Sequence, residues 1–366
     1  MKIPYINIKK QYLEEKKSLL KIFDKVLSSG NYVTSRDEVA KFEKNISKIC
    51  QTKYCVALNS GTDALTLGLH LLGVRAGDEV ITPPNSFIAS TAVIVHLGAK
   101  PVFVDVKDDQ NIDENQIEKK ITSKTKAIMP VHLTGRVCSM HKILKLSKKY
   151  NIPIIEDCAQ SIMSRYKNKM SGSFGEIGCF SAHPLKNLNA VGDGGYLVTN
   201  NKFFYDKLKD LRTHGMSNRN VVKNFGYVSR MDNLQAAILN FRIKNLGSII
   251  EKRRYNVSMY LKFLNKKNFF FKEESPDEFN TYHTFVIQVE DRDKLKKYLL
   301  KNGIETSIHY PTPIHLQPAA KFLGYKKNSF IITENQSKKI LTLPINQFLK
   351  RKEIKYISNK INQFYD

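Results

Sequence analysis

The chain contains no tryptophan and only five cysteines, and acidic side chains are scarce beside basic ones, 34 against 59 in 366 residues. The cysteines, Cys50, Cys55, Cys138, Cys158 and Cys179, are odd in number and widely spaced, with no CxxC pair and no Cys/His ligand spacing. That pattern excludes a disulfide framework and a zinc site as expectations and leaves buried, reduced thiols and no metal. No stretch approaches the roughly 18 uncharged apolar residues of a membrane span, and the N-terminal MKIPYINIKKQYLEEKK lacks the apolar core of a secretory signal. A cytoplasmic protein without membrane attachment is expected. The shortage of acid leaves a net charge of +25. Its lysines are scattered along the whole length (Lys9, Lys41, Lys120, Lys207, Lys266, Lys352), with no helix-turn-helix and no basic stripe interleaved with aromatics. Nucleic acid is therefore not the expected partner, whereas a substrate carrying pyrophosphate gains from a positive field.

What is present is an ordinary globular composition, 42% hydrophobic, in a chain longer than one core usually supports. Between Tyr54 and Asn200 short apolar runs alternate with helical spacing, the signature of a mostly parallel α/β sheet. Seven runs read as strands: Cys55–Asn59, Glu79–Pro83, Pro101–Val106, Ala127–His132, Ile152–Asp157, Ile177–Ala182 and Gly195–Thr199. Helices are expected at Thr62–Leu72, Ser86–Leu97, Met140–Tyr150, Phe203–Leu211 and Met231–Leu246. After about Ile250 the pattern changes to a basic helix (Lys252–Lys262), a strand (Thr284–Val289) and a helix (Asp293–Asn302) stopped by Gly303. A large domain over 1–250 and a smaller α+β domain over 251–366 are expected.

Three segments carry chemistry. Asn59-Ser60-Gly61-Thr62 ends the first strand and opens a helix, whose free N–H groups and positive dipole end suit a phosphate. Ser, Gly and Thr are equally expected there as plain caps. Glu156 and Asp157 close a buried strand, the end of an α/β sheet where ligands bind, and alternation sends them to opposite faces. One such carboxylate can pair with a protonated pyridine nitrogen, or merely cap the next helix. Third, Gly178-Cys179-Phe180-Ser181-Ala182-His183-Pro184-Leu185-Lys186-Asn187-Leu188 places a lone lysine in a weakly charged loop between two strands, before the turn Gly192-Asp193-Gly194-Gly195. A desolvated lysine is a competent nucleophile toward carbonyls, the condition for a Schiff base, and Ser181 lies within reach of the same phosphate.

These residues resemble the DegT/DnrJ/StrS family of pyridoxal phosphate (PLP) dependent sugar aminotransferases. The ordered motifs are LNSGTDAL at 58–65, DEVITPPNSFIAS at 78–90, PVHLTG at 130–135, IIEDCAQS at 154–161, GCFSAHPLKNL at 178–188, GDGG at 192–195, RMDNLQAAI at 230–238, HYPTPIHLQPA at 309–319 and LTLPI at 341–345. The resemblance implies the type I (aspartate aminotransferase-like) fold of PLP-dependent transferases, with a seven-stranded mostly parallel sheet and a smaller C-terminal α+β domain. It implies that Lys186 holds the cofactor as a Schiff base and that Asp157 pairs with the pyridine nitrogen. Gln160 contacts the ring hydroxyl and Phe87 stacks on the ring, while Ser60, Gly61, Thr62 and Ser181 surround the phosphate. Tyr32 in the Gly30-Asn31-Tyr32 turn, His183, His309, Tyr310 and His315 are implied near the substrate entrance.

The family's site is shared across a homodimer, through an Asn that reaches the neighbour's phosphate. Here Gly226-Tyr227-Val228-Ser229-Arg230-Met231 has Val228 in that place, leaving Asn224 or Ser229 to substitute. Ala182 and Leu185 likewise replace an aromatic residue and a Thr before the lysine. The implied reaction moves an amine from an amino acid, usually glutamate, to a keto group of a dTDP-, UDP- or GDP-linked sugar for amino-sugar biosynthesis. Lys186-Asn187-Leu188-Asn189-Ala190-Val191-Gly192-Asp193 looks more like members aminating C3 than C4. Relatives with His in place of the lysine are sugar dehydratases, and a non-enzymatic regulatory homologue is the remaining alternative.

Overall fold

The apolar runs lie side by side in a computed structural model that describes residues 1–30 and 37–366. In chain order, α1 (Ile8–Ser28) and α2 (Asp37–Cys50) lead into β1 (Tyr54–Leu58), α3 (Gly61–Leu71), β2 (Glu79–Thr82), α4 (Ile88–His96), β3 (Lys100–Phe103), β4 (Thr125–Ile128), α5 (Met140–Tyr150) and β5 (Ile155–Asp157). A hairpin of β6 (Arg165–Tyr166) and β7 (Lys169–Met170) precedes β8 (Ile177–Ser181), β9 (Gly195–Thr199), α6 (Lys202–Leu211) and a second hairpin, β10 (Met216–Asn218) with β11 (Val221–Val222). Then follow α7 (Asn233–Ile243), α8 (Leu246–Phe263), β12 (Glu278–Phe279), β13 (Phe285–Gln288), α9 (Arg292–Lys301), α10 (Ile331–Lys339), β14 (Ile340–Leu343) and α11 (Arg351–Tyr365). No described helix is long and apolar enough to cross a membrane.

Strands β3, β2 and β4 pair in parallel, and parallel bridges from Ile128 to Ile154 and from Val131 to Asp157 carry the sheet on to β5. β5 runs parallel to β8, while β9 is antiparallel to both β8 and β1. The seven strands therefore stand in the order β3-β2-β4-β5-β8-β9-β1 with β9 alone reversed. A reversed neighbour needs no crossover helix, so residues 182–194 return from β8 to β9 as a loop over the sheet's end. β1, β5 and β8 all finish at that end, which brings the start of α3, Asp157 and the lysine loop together.

α3 is apolar over most of its length because it packs on the sheet: Ala64, Leu65, Leu67, Leu69 and Leu71 are buried with Ile155, Ile177, Cys179 and Leu197. Full burial of each leucine stabilises by about 2 kcal/mol. Gly68 sets the spacing, since a Cβ there would sit 2.7 Å from Ile155 Cδ1. A separate core gathers Val257 and Tyr260 of α8, Phe285 and Ile287 of β13, Leu295 and Leu299 of α9, Leu341 and Leu343 of β14, and Ile354, Ile357 and Ile361 of α11.

Three features depart from the sequence reading. Ile3 belongs to the C-terminal core, bonded through its backbone to Gly303 and Glu305, whereas α1 stays with the large sheet's side through Gln11 and Glu15. The helices expected at Met231–Leu246 and Lys252–Lys262 meet instead at a break at Lys244–Asn245, and α8 then runs unbroken to Phe263. Its Leu246 and Ile250 pack under the large sheet and its Val257 and Tyr260 in the other core. Third, α1 and α2 were not anticipated; α1 buries only Gln11, Leu19 and Val26 of its 21 residues.

Candidate active site

The paired carboxylates at the end of β5 do different work. Glu156 is fully buried, and its carboxylate accepts from the N–H groups of Gly172 (2.8 Å), Phe174 (2.7 Å) and Gly175 (2.8 Å). His132 Nε2 stands 2.9 Å from the same carboxylate; because Cys138 N–H donates to His132 Nδ1, the ring proton is on Nε2 and points at Glu156. Every lone pair of Glu156 is thus engaged in holding the segment around β7. Asp157, on the opposite face, accepts from Ser90 Oγ (2.7 Å) and Ala159 N–H (3.1 Å). It is the carboxylate whose charge reaches Lys186.

The lysine loop is pinned at several points. Lys186 N–H donates to the His183 carbonyl (2.8 Å), Asn187 Nδ2 to the Thr281 carbonyl (3.1 Å), and Asn189 Nδ2 to the Pro184 carbonyl (2.7 Å) and to Gln11 of α1. Lys186 itself is partly buried, and among the described residues its ammonium has no ion-pair partner. Removal from water lowers its pKa from 10.5 to about 8, and Asp157 offsets only part of that shift. The amine consequently stands ready as a nucleophile near neutral pH.

A phosphate cradle lies beside it. Ser60 caps α3 by accepting from Asp63 N–H (3.0 Å), which leaves the Gly61 and Thr62 N–H groups at the helix start outside the intrahelical ladder. Gly61 packs so closely on β8 that a Cβ would fall 2.7 Å from Ser181 Cβ, and a Cβ on Gly195 would meet the Ser60 carbonyl carbon at 2.2 Å. Only glycines let these three segments converge, with the Ser181 hydroxyl between them and the loop, accepting from His183 N–H (3.3 Å). A lysine amine of lowered pKa, a carboxylate beneath it and a helix start with a hydroxyl fit the aldehyde, ring nitrogen and phosphate of PLP.

The facing wall comes from the C-terminal residues. Gln160 Oε1 accepts from Thr134 N–H (2.8 Å), and its Nε2 lies 3.4 Å from the Tyr310 hydroxyl. Phe87, more than half exposed, has its ring centroid 6.1 Å from that of Tyr310. His309 Nδ1 lies 2.9 Å from Thr342 Oγ1 and its ring 6.0 Å from that of Tyr5. Burial, then Lys186, lowers the His309 pKa to about 4, and burial with the Asp157 charge raises Tyr310 above the usual phenol range. Both stay neutral at physiological pH.

Other expected positions fall elsewhere. His315 is buried, 3.0 Å from Glu334 through Nε2 and edge-on to Phe330 in a satellite core with Phe103. It secures the loop after the site rather than facing the substrate entrance. His183 is exposed and its Nδ1 accepts from Leu185 N–H (3.3 Å), shaping the turn ahead of Lys186. Asn224 and Val228 are exposed on the segment after β11. Ser229 is fully buried with an unpartnered hydroxyl, and Tyr32 lies outside the described residues. Sequence reasoning missed Ser90, Thr134, Asn187 and Tyr5; only Asn187, adjacent to the lysine, carried any signal.

Comparison with known proteins agrees with this geometry. The family model described as the DegT/DnrJ/EryC1/StrS aminotransferase family matches residues 13–362. A "Pleiotropic regulatory protein" of Geobacillus stearothermophilus is 36% identical over 369 residues, covering 100% of this chain and 99% of the relative. A "dTDP-3-amino-3,6-dideoxy-alpha-D-galactopyranose transaminase" of Aneurinibacillus thermoaerophilus is 37% identical, covering 99% of both chains. The X-ray structure of S. venezuelae DesV in complex with a ketimine intermediate superposes with a TM-score of 0.97 at 33% identity, covering 100% of this chain and 99% of the other.

Proposed function

The chain belongs to the DegT/DnrJ/EryC1/StrS aminotransferase family, and from that membership we propose that it transfers the amine of glutamate to the C3 ketone of a nucleotide-linked deoxy sugar as a homodimer. It is a PLP-dependent nucleotide-sugar aminotransferase of the type I fold. The observation that carries the reading is the partly buried Lys186 amine, lowered to about 8 and within reach of the Asp157 charge at the carboxyl end of the sheet. The bound cofactor supplies an electron sink that lets a carbon–hydrogen bond beside nitrogen ionise.

The chain's own residues do the rest. Lys186 Nζ would hold the cofactor through its aldehyde carbon and, as the amine of lowered pKa at this site, would be the group to move a proton at the donor's α-carbon. Asp157, held by Ser90 and Ala159, would pair with the ring nitrogen and keep it protonated. Gly61, Thr62 and Ser181 would hold the phosphate, Gln160 the ring hydroxyl and Phe87 the face of the ring. His309 and Tyr310 close the substrate side and exclude water.

C3 amination is supported by the Gly192-Asp193-Gly194-Gly195 turn and by relatives whose names specify a 3-amino product or a 3-aminotransferase, two acting on dTDP sugars and one on a UDP sugar. Dimer formation is supported by Phe225, 99% exposed, beside exposed Val221, Val222, Tyr227 and Val228. With Ser229 buried, the exposed Asn224 is the residue we assign to a neighbour's phosphate. Five free, buried cysteines support the cytoplasm as its location. The test is a screen of dTDP-, UDP- and GDP-linked keto sugars with glutamate, the product read by mass and NMR. Amine at C3 is expected. Water loss without amine gain would mean a dehydratase.

A further inference from the structure

A crevice of about 30 Å³ lies between the large sheet and the C-terminal residues. Asp109 and Gln110 line it from the loop between β3 and β4, and Asn280 and Thr284 from the stretch between β12 and β13. Three of its side chains bury a polar atom that has no partner among the described residues: Gln110 Oε1, Asn280 Oδ1 and Thr284 Oγ1, on residues only 6%, 3% and 2% exposed. All three atoms are oxygens. Each is costly to bury alone, so three around one small space point to a shared positive partner.

The charges point the same way. Neighbouring cations are already matched, Arg136 to Glu278 (3.5 Å), Lys272 to Asp108 (3.1 Å) and Lys107 to Glu114 (2.8 Å). Asp109 has no ion pair among the described residues; its Oδ1 accepts from Asn111 N–H (3.0 Å) and its Oδ2 accepts no hydrogen bond. Burial raises the Asp109 pKa although Lys107, the Asn111 N–H and Arg136 all pull it down. The crevice thus gathers one under-compensated carboxylate and three neutral oxygens.

We infer that this crevice is a site for one monovalent cation, potassium or sodium, held by the Asp109 carboxylate and the side-chain oxygens of Gln110, Asn280 and Thr284. Size excludes an organic ligand, since one water molecule occupies about the same volume. Donor chemistry selects the ion: calcium gathers roughly six to eight oxygens, usually with more than one carboxylate, and transition metals favour nitrogen or sulfur. A single carboxylate balances a single positive charge. A site built of oxygens carries no cysteine or histidine spacing, so no motif marks it in the sequence.

The ion would brace the wall behind the active site. Thr284 N–H donates to the Thr134 carbonyl (3.4 Å), Thr134 N–H holds Gln160, and the Thr281 carbonyl holds Asn187 beside Lys186. On the other side Asn85 Nδ2 donates to the Gln110 carbonyl (2.8 Å), two residues before Phe87.

The test melts the holoenzyme in choline chloride while KCl or NaCl replaces choline at constant ionic strength. Wild type should show a saturable rise in Tm of about 2–5 °C with potassium or sodium. Asp109→Asn keeps the acceptor for Asn111 N–H but loses the charge, and should need at least about tenfold more cation for half the rise. Thr284→Val removes a hydroxyl that bonds nothing in the protein, and it decides the matter if Asp109→Asn does not fold. In choline it should melt no lower than wild type, and its half-saturation should rise roughly threefold to tenfold. No saturable rise, or the same rise in wild type and both variants, would mean a general salt effect and overturn the inference. A rise produced by calcium or magnesium alone, or a Thr284→Val protein that already melts lower in choline, would overturn it as well.

Discussion

Replacing Glu156 by Gln changes one oxygen of a buried carboxylate into an NH2 group. In the native protein Oε1 accepts from the Phe174 and Gly175 N–H groups, and Oε2 from Gly172 N–H and His132 Nε2. An amide can serve one of these pairs, and its nitrogen then points two hydrogens at two donors. Two charge-assisted hydrogen bonds are lost, each about 1.5–3 kcal/mol, for a total of roughly 3–6 kcal/mol. With the native state of a typical domain only about 5–15 kcal/mol below the unfolded one, that is a large fraction. Urea unfolding of the cofactor-free protein, followed by circular dichroism, should show the transition midpoint falling steeply. The surviving folded enzyme should keep the visible absorbance of its cofactor, since Glu156 faces away from Lys186. A loss below about 1 kcal/mol would refute the assignment of Glu156 as the strut of this face.

The neighbouring substitution has the opposite profile. Asp157→Asn keeps its oxygen as acceptor for Ala159 N–H and turns its NH2 to Ser90 Oγ, a hydroxyl that can accept, so stability should change by no more than about 1 kcal/mol; kcat should fall at least about a hundredfold, by steady-state assay. Lys186 binds its proton less tightly folded than unfolded. Between about 8 and its ordinary 10.5 the unfolded chain therefore holds the extra proton, and the cofactor-free protein gains stability as pH rises through that window. Trapping of a small aldehyde by Lys186 with borohydride should accordingly have its midpoint near pH 8, and a midpoint near 10.5 would contradict the desolvation argument. Phe225→Asp should shift the protein from dimer to monomer in sedimentation velocity and abolish activity, because the exposed ring then carries charge into an apolar contact.

Much of this architecture is visible in the residues alone. The strands announce themselves because a sheet covered on both faces must be apolar throughout, as in Ile152–Asp157 and Gly195–Thr199. Lys186 stands out because lysine is otherwise confined to polar faces. Alternation separates Glu156 from Asp157 but not their tasks, which depend on N–H groups of Gly172, Phe174 and Gly175 that no local pattern points at them. His315 looks like a site residue beside His309 and Tyr310, yet the chain turns after Pro313 and buries it against Glu334. Ser90 and Thr284 are ordinary polar residues until the fold sets one under Asp157 and leaves the other's hydroxyl buried without a partner.

The account turns on Lys186. Reducing the holoenzyme with borohydride fixes the cofactor to whichever lysine holds it, and peptide mass spectrometry then locates the label. The label is expected on Lys186 alone, and Lys186→Ala should abolish both label and amine transfer. A label on another lysine, or amine transfer that survives in the alanine variant, would contradict the account.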